Sequence, residues 1–285
     1  LSGDIGNRMF DDFKDIAPNR FFNCGIAEAN MMSVAAGMAL CGQRPVIYTI
    51  TPFTTTRCLE QIKIGAAYHD ANVVIIGTGS GLSYSELGAT HHSLEDIAIM
   101  RSIPNIRVLT PCDPLELKVH LNEALSLQGP TYIRIGKKGE PILFEDSKIL
   151  GIGKSNIIKN GKDYLILGIG PIINEALNAS ISLEKIGINV AVVNVGSIRP
   201  LDTEFLKKMV EKNFKYWITL EEHGIVGGLG STILEWASDF EYLNHINLKR
   251  LAVKSEFIHQ LGNQSYTRNI LGLDCENIVK FIKKL

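Results

Sequence analysis

Short runs of β-branched and other apolar residues alternate with amphipathic helical segments along almost the whole chain of 285 residues. The runs are apolar at successive positions, which is typical of strands buried on both faces of a helix-covered parallel sheet. The first half supplies such runs at residues 45–50, 72–77, 105–110 and 131–135. Because right-handed crossovers connect parallel strands, the pattern predicts an α/β fold of doubly wound, mostly parallel open sheets.

The alternation is interrupted between residues 137 and 162 by a polar stretch rich in glycine and lysine. We interpret this stretch as a linker that includes a surface hairpin. It divides the chain into a domain of residues 1–142 and a domain of residues 143–285, and two domains agree with the length. Strands are predicted again at residues 164–168, 189–195, 216–220 and 246–253, so we expect one open sheet in each domain.

Charge and composition exclude several classes of protein. The 29 Lys and Arg residues against 30 Asp and Glu leave a net charge of -1, which disfavours broad binding to nucleic acid or an acidic membrane. The apolar runs fall far short of the ~20 residues that span a bilayer, and no signal peptide is visible, so the cytoplasm is the expected compartment. The five cysteines lack the close spacing of zinc or redox motifs. Cys41 and Cys58 lie among apolar residues and are expected to be buried.

One carboxylate stands where a helix is predicted to begin. Residues 22–27 end in a turn that contains Gly25, and Glu28 opens an Ala- and Met-rich helix over residues 28–40. A carboxylate at that place can simply complement the helix dipole. It can also be held in apolar surroundings, where it shares a proton with a ligand nitrogen. The residues themselves leave both interpretations open.

Two adjacent histidines lie in a glycine-containing loop, residues 84–96, between a predicted strand and a predicted helix. Adjacent residues rarely both find buried partners, so His91 and His92 are either exposed loop residues or groups for general acid–base catalysis. A metal site is disfavoured because no third ligand lies at a suitable spacing. Phe53 also follows a strand, and its ring can pack on the sheet or stack on a flat ligand at the carboxyl ends of the strands.

The glycines of residues 227–230 follow a strand and open a helix, but their spacing is not that of a dinucleotide-binding motif. We therefore prefer close packing of the helix on the strand as their explanation. The acidic pair and histidine of residues 221–223 are interpreted as interface or solvated loop residues.

In their order and spacing, these segments resemble the C-terminal half of transketolase, a pyrimidine-binding domain followed by a small C-terminal domain, as in two-subunit transketolases. The likeness covers nearly the whole chain and is densest between residues 20 and 114. Residues 25–31 are similar to the glutamate motif of the family, and residues 53–61 to its aromatic segment. Residues 90–105 are similar to its histidine loop and following helix, and residues 221–230 to the C-terminal domain shared with deoxyxylulose-phosphate synthase.

The resemblance implies thiamine diphosphate as the cofactor and assigns it to particular residues. Glu28 would hydrogen-bond the N1′ nitrogen of the aminopyrimidine and favour the imino tautomer, which takes the proton from thiazolium C2. Phe53 would stack on the pyrimidine, and Arg57 belongs to the same cofactor-binding segment. Asp4 and Ile5 resemble the segment that approaches the cofactor from the other side.

The substrate side departs from the family pattern. The resemblance implies that His91 moves protons to and from substrate hydroxyls or the carbonyl oxygen. Leu87 stands where the family usually has an aspartate, and Gly79 where it has a second histidine. We therefore hypothesise that the substrate is a modified or nucleotide-linked sugar. The other candidates for substrate contact, the basic ones being either phosphate ligands or a solvated edge, are His92, Arg134, Lys137 and Lys138.

The Gly-Asp-Gly motif, with which the family binds the diphosphate and Mg²⁺, does not occur in the sequence. The resemblance therefore implies a partner subunit that carries the diphosphate- and Mg²⁺-binding domain, with no metal ligand in this chain. The cofactor would lie at the interface of an assembly with two copies of each subunit.

Two alternatives stay open. A decarboxylating relative, deoxyxylulose-phosphate synthase or a 2-oxo acid dehydrogenase β subunit, shares the domain plan, although the loop at His91 and residues 101–105 favour the transketolase branch. A non-catalytic paralogue could also scaffold a partner. The presence of Glu28, Phe53 and His91 argues against it, because a scaffold has no physical need for these three side chains.

Overall fold

The computed structural model describes residues 1–6, 8–137, 139–144 and 149–285. Within these residues the chain forms two five-stranded, mostly parallel sheets with flanking helices, which confirms the predicted fold class. The strands are β1 (Val46–Ile50), β2 (Val74–Thr78), β3 (Arg107–Leu109), β4 (Thr131–Arg134), β5 (Asn156–Lys159), β6 (Tyr164–Gly168), β7 (Val190–Asn194), β8 (Ser197–Arg199), β9 (Tyr216–Gly224) and β10 (Leu248–Val253). The helices are α1 (Asp11–Ile16), α2 (Glu28–Leu40), α3 (Thr51–Thr54), α4 (Asp96–Ser102), α5 (Pro114–Ser126), α6 (Ile173–Glu184), α7 (Thr203–Val210), α8 (Leu229–Asp239), α9 (Gln264–Ile270) and α10 (Cys275–Ile282).

The first sheet has the strand order β1-β2-β4-β3-β8. Its first four strands are parallel, so β1, β2 and β4 place their carboxyl ends at one edge. From that edge the chain continues into α3, into the loop that carries His91, and into residues 135–137. Open α/β sheets bind ligands at the carboxyl ends of their strands, so this edge is where a site is expected.

The second sheet has the order β10-β9-β6-β7-β5 and is parallel except for β5. The predicted surface hairpin in residues 137–162 is wrong, because β5 pairs antiparallel with β7 at the sheet edge. Strand β8 was not predicted, and it extends the first sheet antiparallel to β3. The chain beyond the linker therefore completes a sheet that begins before it. The domain boundary at residues 142 and 143 stays a prediction.

Helix starts agree closely with the local sequence signals. Helix α2 spans residues 28–40 as predicted, and Gly42 follows it with a φ of 86°. Helix α5 begins behind Asp113, whose carboxylate accepts a hydrogen bond of 2.8 Å from the Glu116 N–H. Asp202 and Asp274 cap α7 and α10 in the same way. These caps satisfy N–H groups that have no partner within the helix.

Arg134 lies in the interior between the two sheets, with only 2 % of its surface exposed. Its Nε donates to Asp96 at 2.8 Å, and its Nη2 donates to the carbonyls of Ser93 and Glu222. The prediction of a phosphate ligand or solvated edge residue is therefore wrong for Arg134. A buried guanidinium with these partners joins the two halves of the chain instead.

Residues 221–223 are buried on β9, so their interpretation as solvated loop residues is wrong, while that as interface residues agrees with the contact to Arg134. The Glu221 carboxylate accepts hydrogen bonds from the N–H groups of Leu229 and Gly230 at the start of α8. A Cβ at Gly228 would lie 2.0 Å from a Glu221 oxygen, so these glycines serve close packing, as predicted. The place where a dinucleotide phosphate would bind is filled by the chain's own carboxylate.

The cysteines are free thiols in the described structure. Cys58 is buried as expected, whereas Cys41 is exposed beyond the end of α2, so its predicted burial is wrong. Among the described residues, no helix combines the length and the apolar character that crossing a bilayer requires.

Candidate active site

Seven side chains form a continuous series of contacts at the carboxyl edge of β1, β2 and β4. We call them the edge cluster: Glu28, Arg57, Phe53, His91, Tyr84, Lys137 and Glu86. The series joins a buried carboxylate at one end to an exposed ion pair at the other. It therefore contains the catalytic and cofactor candidates Glu28, Phe53, Arg57 and His91, together with the substrate candidate Lys137.

Glu28 is the first residue of α2 and is only 4 % exposed. The turn before it requires Gly25, which has a φ of 67°, a conformation that other residues rarely adopt. Gly3 passes so close that a Cβ there would lie 3.7 Å from Glu28 Cγ and 2.9 Å from Thr49 Oγ1. That buried hydroxyl has no hydrogen-bond partner within the described residues. The carboxylate thus lies in a tight pocket that contains one unsatisfied polar group.

Arg57 contacts two members of the edge cluster at once. Its Nη1 lies 2.9 Å from Glu28 Oε2, and its guanidinium carbon lies 3.9 Å from the centroid of the Phe53 ring. A planar nitrogen group therefore donates to the carboxylate while it stacks on the aromatic face. An aminopyrimidine with a protonated ring nitrogen could make the same two contacts if the half-exposed Arg57 moved aside. Glu28 and Phe53 therefore fit this part of thiamine diphosphate.

The thiol of Cys58 lies beneath this pair. Burial raises the pKa of Cys58 to about 12, and the negative charge of Glu28 adds to the effect. The thiol is therefore neutral near pH 7, and it packs as a small apolar group next to the carboxylate.

His91 lies at the centre of the edge cluster and is half-buried. Its ring meets Phe53 edge-on at 5.3 Å and Tyr84 at 6.1 Å between centroids, and Nδ1 lies 2.9 Å from the Thr90 hydroxyl oxygen. Burial lowers the pKa of His91 below its usual 6.5, and the positive charges of Arg57 and His92 act in the same direction. The imidazole is therefore neutral near pH 7 and able to accept a proton.

The outer end of the edge cluster was only partly predicted. Lys137 lies 4.5 Å from the centroid of the Tyr84 ring and 3.0 Å from a Glu86 oxygen. Neither Tyr84 nor Glu86 was singled out from the sequence. A signal was available, since both lie in the glycine-containing loop with His91, but nothing in the sequence indicates which loop side chains point to the site.

Several predicted site residues lie outside the edge cluster. His92 is buried, with Nε2 3.2 Å from the Ser85 carbonyl oxygen, so the structure does not place it where a substrate could reach it. Ile5 packs on the apolar cluster of Tyr48 and Val74, away from Glu28. Asp4 is exposed, and its N–H donates to the Gly25 carbonyl at the turn before Glu28.

The two remaining substrate candidates carry less structural information. Leu87 is exposed in the short 3₁₀ segment Ser85–Thr90, and its backbone N–H donates to the Tyr84 carbonyl oxygen at 2.9 Å. That bond belongs to the turn itself and assigns no role to the leucine side chain. Lys138 lies outside the described residues.

The second domain supports the loop that carries His91. The Glu222 carboxylate accepts a hydrogen bond of 3.2 Å from the Leu82 N–H, and it also binds Arg268 and Gln264. Gly81, with a φ of 61°, leaves room for this carboxylate, because a Cβ there would lie 2.6 Å from Glu222. Sequence reasoning missed this role for Glu222, since the two segments are 140 residues apart.

Replacing Arg57 by alanine is expected to raise the pKa of His91 towards 6.5. The change removes a positive charge that disfavours the imidazolium form. An NMR titration of the histidine ring protons in the purified chain measures the shift. Lys63→Ala, which removes an exposed cation from the neighbouring helical segment, serves as the control and should leave the midpoint unchanged. An unchanged or lowered midpoint in Arg57→Ala would contradict the proposed proximity.

Comparison with protein families gives two matches that follow one another along the chain. The family described as transketolase, pyrimidine binding domain, matches residues 5–140. The family described as transketolase, C-terminal domain, matches residues 153–278. The edge cluster lies within the first match, and Glu222 lies within the second.

Curated relatives are similar over nearly the whole chain. One of the two subunits of the apulose-4-phosphate transketolase of Actinobacillus succinogenes is 37% identical over 262 residues, covering 92% of this chain and 83% of that protein. The 6-deoxy-6-sulfo-D-fructose transketolase subunit SqwH of a Clostridium species is 32% identical, covering 94% of this chain and 82% of that protein. A solved structure described as a split-gene transketolase, inactive β4 tetramer, is 32% identical, with a TM-score of 0.87 over 100% of this chain and 90% of that one.

Proposed function

The chain belongs to the transketolase family, and from that premise we propose that it is one subunit of a thiamine-diphosphate-dependent transketolase. The subunit carries the pyrimidine-binding half of the active site, and the enzyme transfers a two-carbon ketol unit between sugars. A partner subunit completes the site.

The observation that carries this proposal is the joint contact of Arg57 with the Glu28 carboxylate and the Phe53 ring. These two side chains form a receptor for a flat group that both stacks and donates a hydrogen bond. When bound, thiamine diphosphate supplies a carbon nucleophile that accepts the two-carbon unit and passes it on. Arg57 must move away from Glu28 before the aminopyrimidine can occupy the same place.

Two groups of this chain then handle protons. Glu28 holds a proton at the N1′ nitrogen, and its burial shields that hydrogen bond from water. His91, held between the rings of Phe53 and Tyr84, accepts and returns a proton at a hydroxyl or carbonyl oxygen of the sugar. The aromatic contacts fix the imidazole where it can reach the substrate.

The sugar that this site would take carries an anionic group at one end. The similar apulose-4-phosphate and 6-deoxy-6-sulfo-D-fructose enzymes are named for sugars with a phosphate or sulfonate. Lys137 offers a matching cation at the outer end of the edge cluster, where it is paired only with the exposed Glu86. Such a substrate is a metabolite of the cytoplasm, which we propose as the location of the enzyme.

The partner would bind the diphosphate and Mg²⁺. Within the described residues, no group of three or more His, Cys, Asp or Glu side chains lies close enough to hold a metal ion. We propose an assembly with two copies of each subunit and the cofactor at their interface. The description of the solved relative as an inactive β4 tetramer supports a requirement for the second subunit.

Reconstitution tests the proposal. The chain is purified alone and together with the product of a neighbouring reading frame that encodes the Gly-Asp-Gly domain, with thiamine diphosphate and Mg²⁺ present. Transfer of the two-carbon unit is measured with xylulose phosphate, apulose-4-phosphate and 6-deoxy-6-sulfo-D-fructose as donors. We expect transfer by the mixture and none by the chain alone. Release of carbon dioxide from pyruvate in place of transfer would establish the decarboxylating alternative, and neither reaction would favour a scaffold.

A further inference from the structure

Tyr84 occupies the space that a side chain at position 79 would fill. Gly79 has a φ of 73°, and an added Cβ would lie 1.9 Å from Tyr84 Cε2 and 2.2 Å from Cδ2. No real contact is that short, so the ring in its present position and any side chain at position 79 exclude one another. The glycine at the end of β2 therefore determines where the tyrosine lies.

The seated ring faces the substrate side of the edge cluster. One face lies under the Lys137 ammonium, and its plane is steeply inclined to that of His91. The residue is half-buried, unlike the core tyrosine Tyr132, whose hydroxyl donates to Asp96. Within the described residues, the Tyr84 hydroxyl makes no hydrogen bond. A hydroxyl beside the proton-transfer group is thus available to a ligand.

We propose that Tyr84 is a substrate-contacting residue that determines which sugars the site accepts, which rests on the proposed transketolase function. Its hydroxyl forms a hydrogen bond with a hydroxyl of the sugar chain held next to His91. Its ring closes the wall of the site at Gly79, where a different side chain would offer other polar groups. The ligand class is a polyhydroxylated sugar, since such a chain presents a hydroxyl at each successive carbon.

The seating of the ring is tested first on the purified chain by thermal unfolding. Gly79→Ala, Tyr84→Ala and the double variant form a cycle, with Gly88→Ala as the matched control. Gly88 has the same φ of 73°, but an added Cβ would meet nothing closer than 3.4 Å. We expect Gly79→Ala to lower the melting temperature clearly more than Gly88→Ala does. In the Tyr84→Ala background, the two glycine replacements should cost similar amounts. An equal cost of Gly79→Ala in both backgrounds would overturn the seating, and the proposal with it.

Substrate contact is tested in the reconstituted two-subunit enzyme with the three donors named above. Tyr84→Phe keeps the ring and removes the hydroxyl, so we expect kcat/KM for the preferred donor to fall roughly 10-fold, the effect of one lost hydrogen bond. Tyr84→Ala should change the ranking of the donors. The concentration of thiamine diphosphate that gives half-maximal activity should not change in either variant.

The outcomes separate the two proposals. If the unmodified enzyme transfers no two-carbon unit from any donor, the proposed function fails, and the role of Tyr84 fails with it. If the unmodified enzyme is active but both variants keep its kcat/KM values and donor ranking, only the role of Tyr84 is overturned. A loss accompanied by weaker cofactor saturation would also contradict it, since that result would place Tyr84 on the cofactor side.

Discussion

Glu28→Gln is expected to lower the rate of two-carbon transfer by the reconstituted enzyme about 10²–10⁴-fold, the usual contribution of a positioned proton-transfer group. Glutamine has nearly the same size and can still accept a hydrogen bond, but its amide cannot hold or return a proton. Because Glu28 is buried at the start of α2, water is poorly placed to replace it. The measurement is kcat at saturating thiamine diphosphate and donor.

A surface variant separates this effect from a general loss of folded protein. Glu276→Gln removes an exposed carboxylate that pairs only with Lys280, and it should leave kcat unchanged. Circular dichroism and size-exclusion chromatography should show that both variants fold and assemble like the unmodified chain. An undiminished rate in Glu28→Gln would mean that the site lies elsewhere, or that the chain serves as a scaffold.

The features of the fold that could be predicted are those that local chemistry determines. Helix α2 begins at the predicted residue because the turn at Gly25 and the run of Ala and Met residues are both local signals. Strands β5 and β8 were missed because each has only three or four residues and is stabilised by a distant partner, β7 or β3. No periodicity can be recognised over so short a segment.

The same distinction applies to individual side chains. Phe53 and His91 could be placed at one edge because each follows the end of a parallel strand. Arg134 was misassigned because its burial depends on Asp96, 38 residues earlier, and on a carbonyl of the second domain. Tyr84 was missed because its position depends on the absence of a side chain at Gly79, a packing relation that composition and spacing do not reveal.

Asp96→Asn is expected to lower the free energy of unfolding by about 3–5 kcal/mol, because it leaves a buried guanidinium without its counter-charge. In the folded chain the Asp96 carboxylate accepts from Arg134 Nε at 2.8 Å and from the Tyr132 hydroxyl at 2.7 Å. Urea denaturation of the purified chain at pH 7 measures the loss. Asp15→Asn, which changes an exposed aspartate, should cost much less. An equal loss in the two variants would contradict the role of the pair.

The charge on Asp96 also predicts how this loss depends on pH. Burial acts to raise the pKa of Asp96, but the Arg134 and His223 charges and the hydrogen bonds from Tyr132 and Arg134 outweigh it, and the pKa is lowered. A carboxyl with a lowered pKa stabilises the folded state above its unfolded value of 3.8, and this contribution is lost as the pH falls through the folded pKa. The gap between the unmodified chain and Asp96→Asn should therefore be full at pH 7 and narrow below pH 3.8.

The double variant Asp96→Asn with Arg134→Met shows whether the loss comes from the unpaired charge. Removing both charges leaves no buried ion without a partner, so we expect the double variant to be more stable than Asp96→Asn alone. Arg134 also binds the carbonyls of Ser93 and Glu222, so some loss should remain. Ser93 lies two residues after His91, and a fully stable double variant with reduced transfer activity would show that this pair holds the histidine loop in place. A double variant less stable than Asp96→Asn would mean that the contacts of Arg134 to the two carbonyls outweigh its pairing with Asp96.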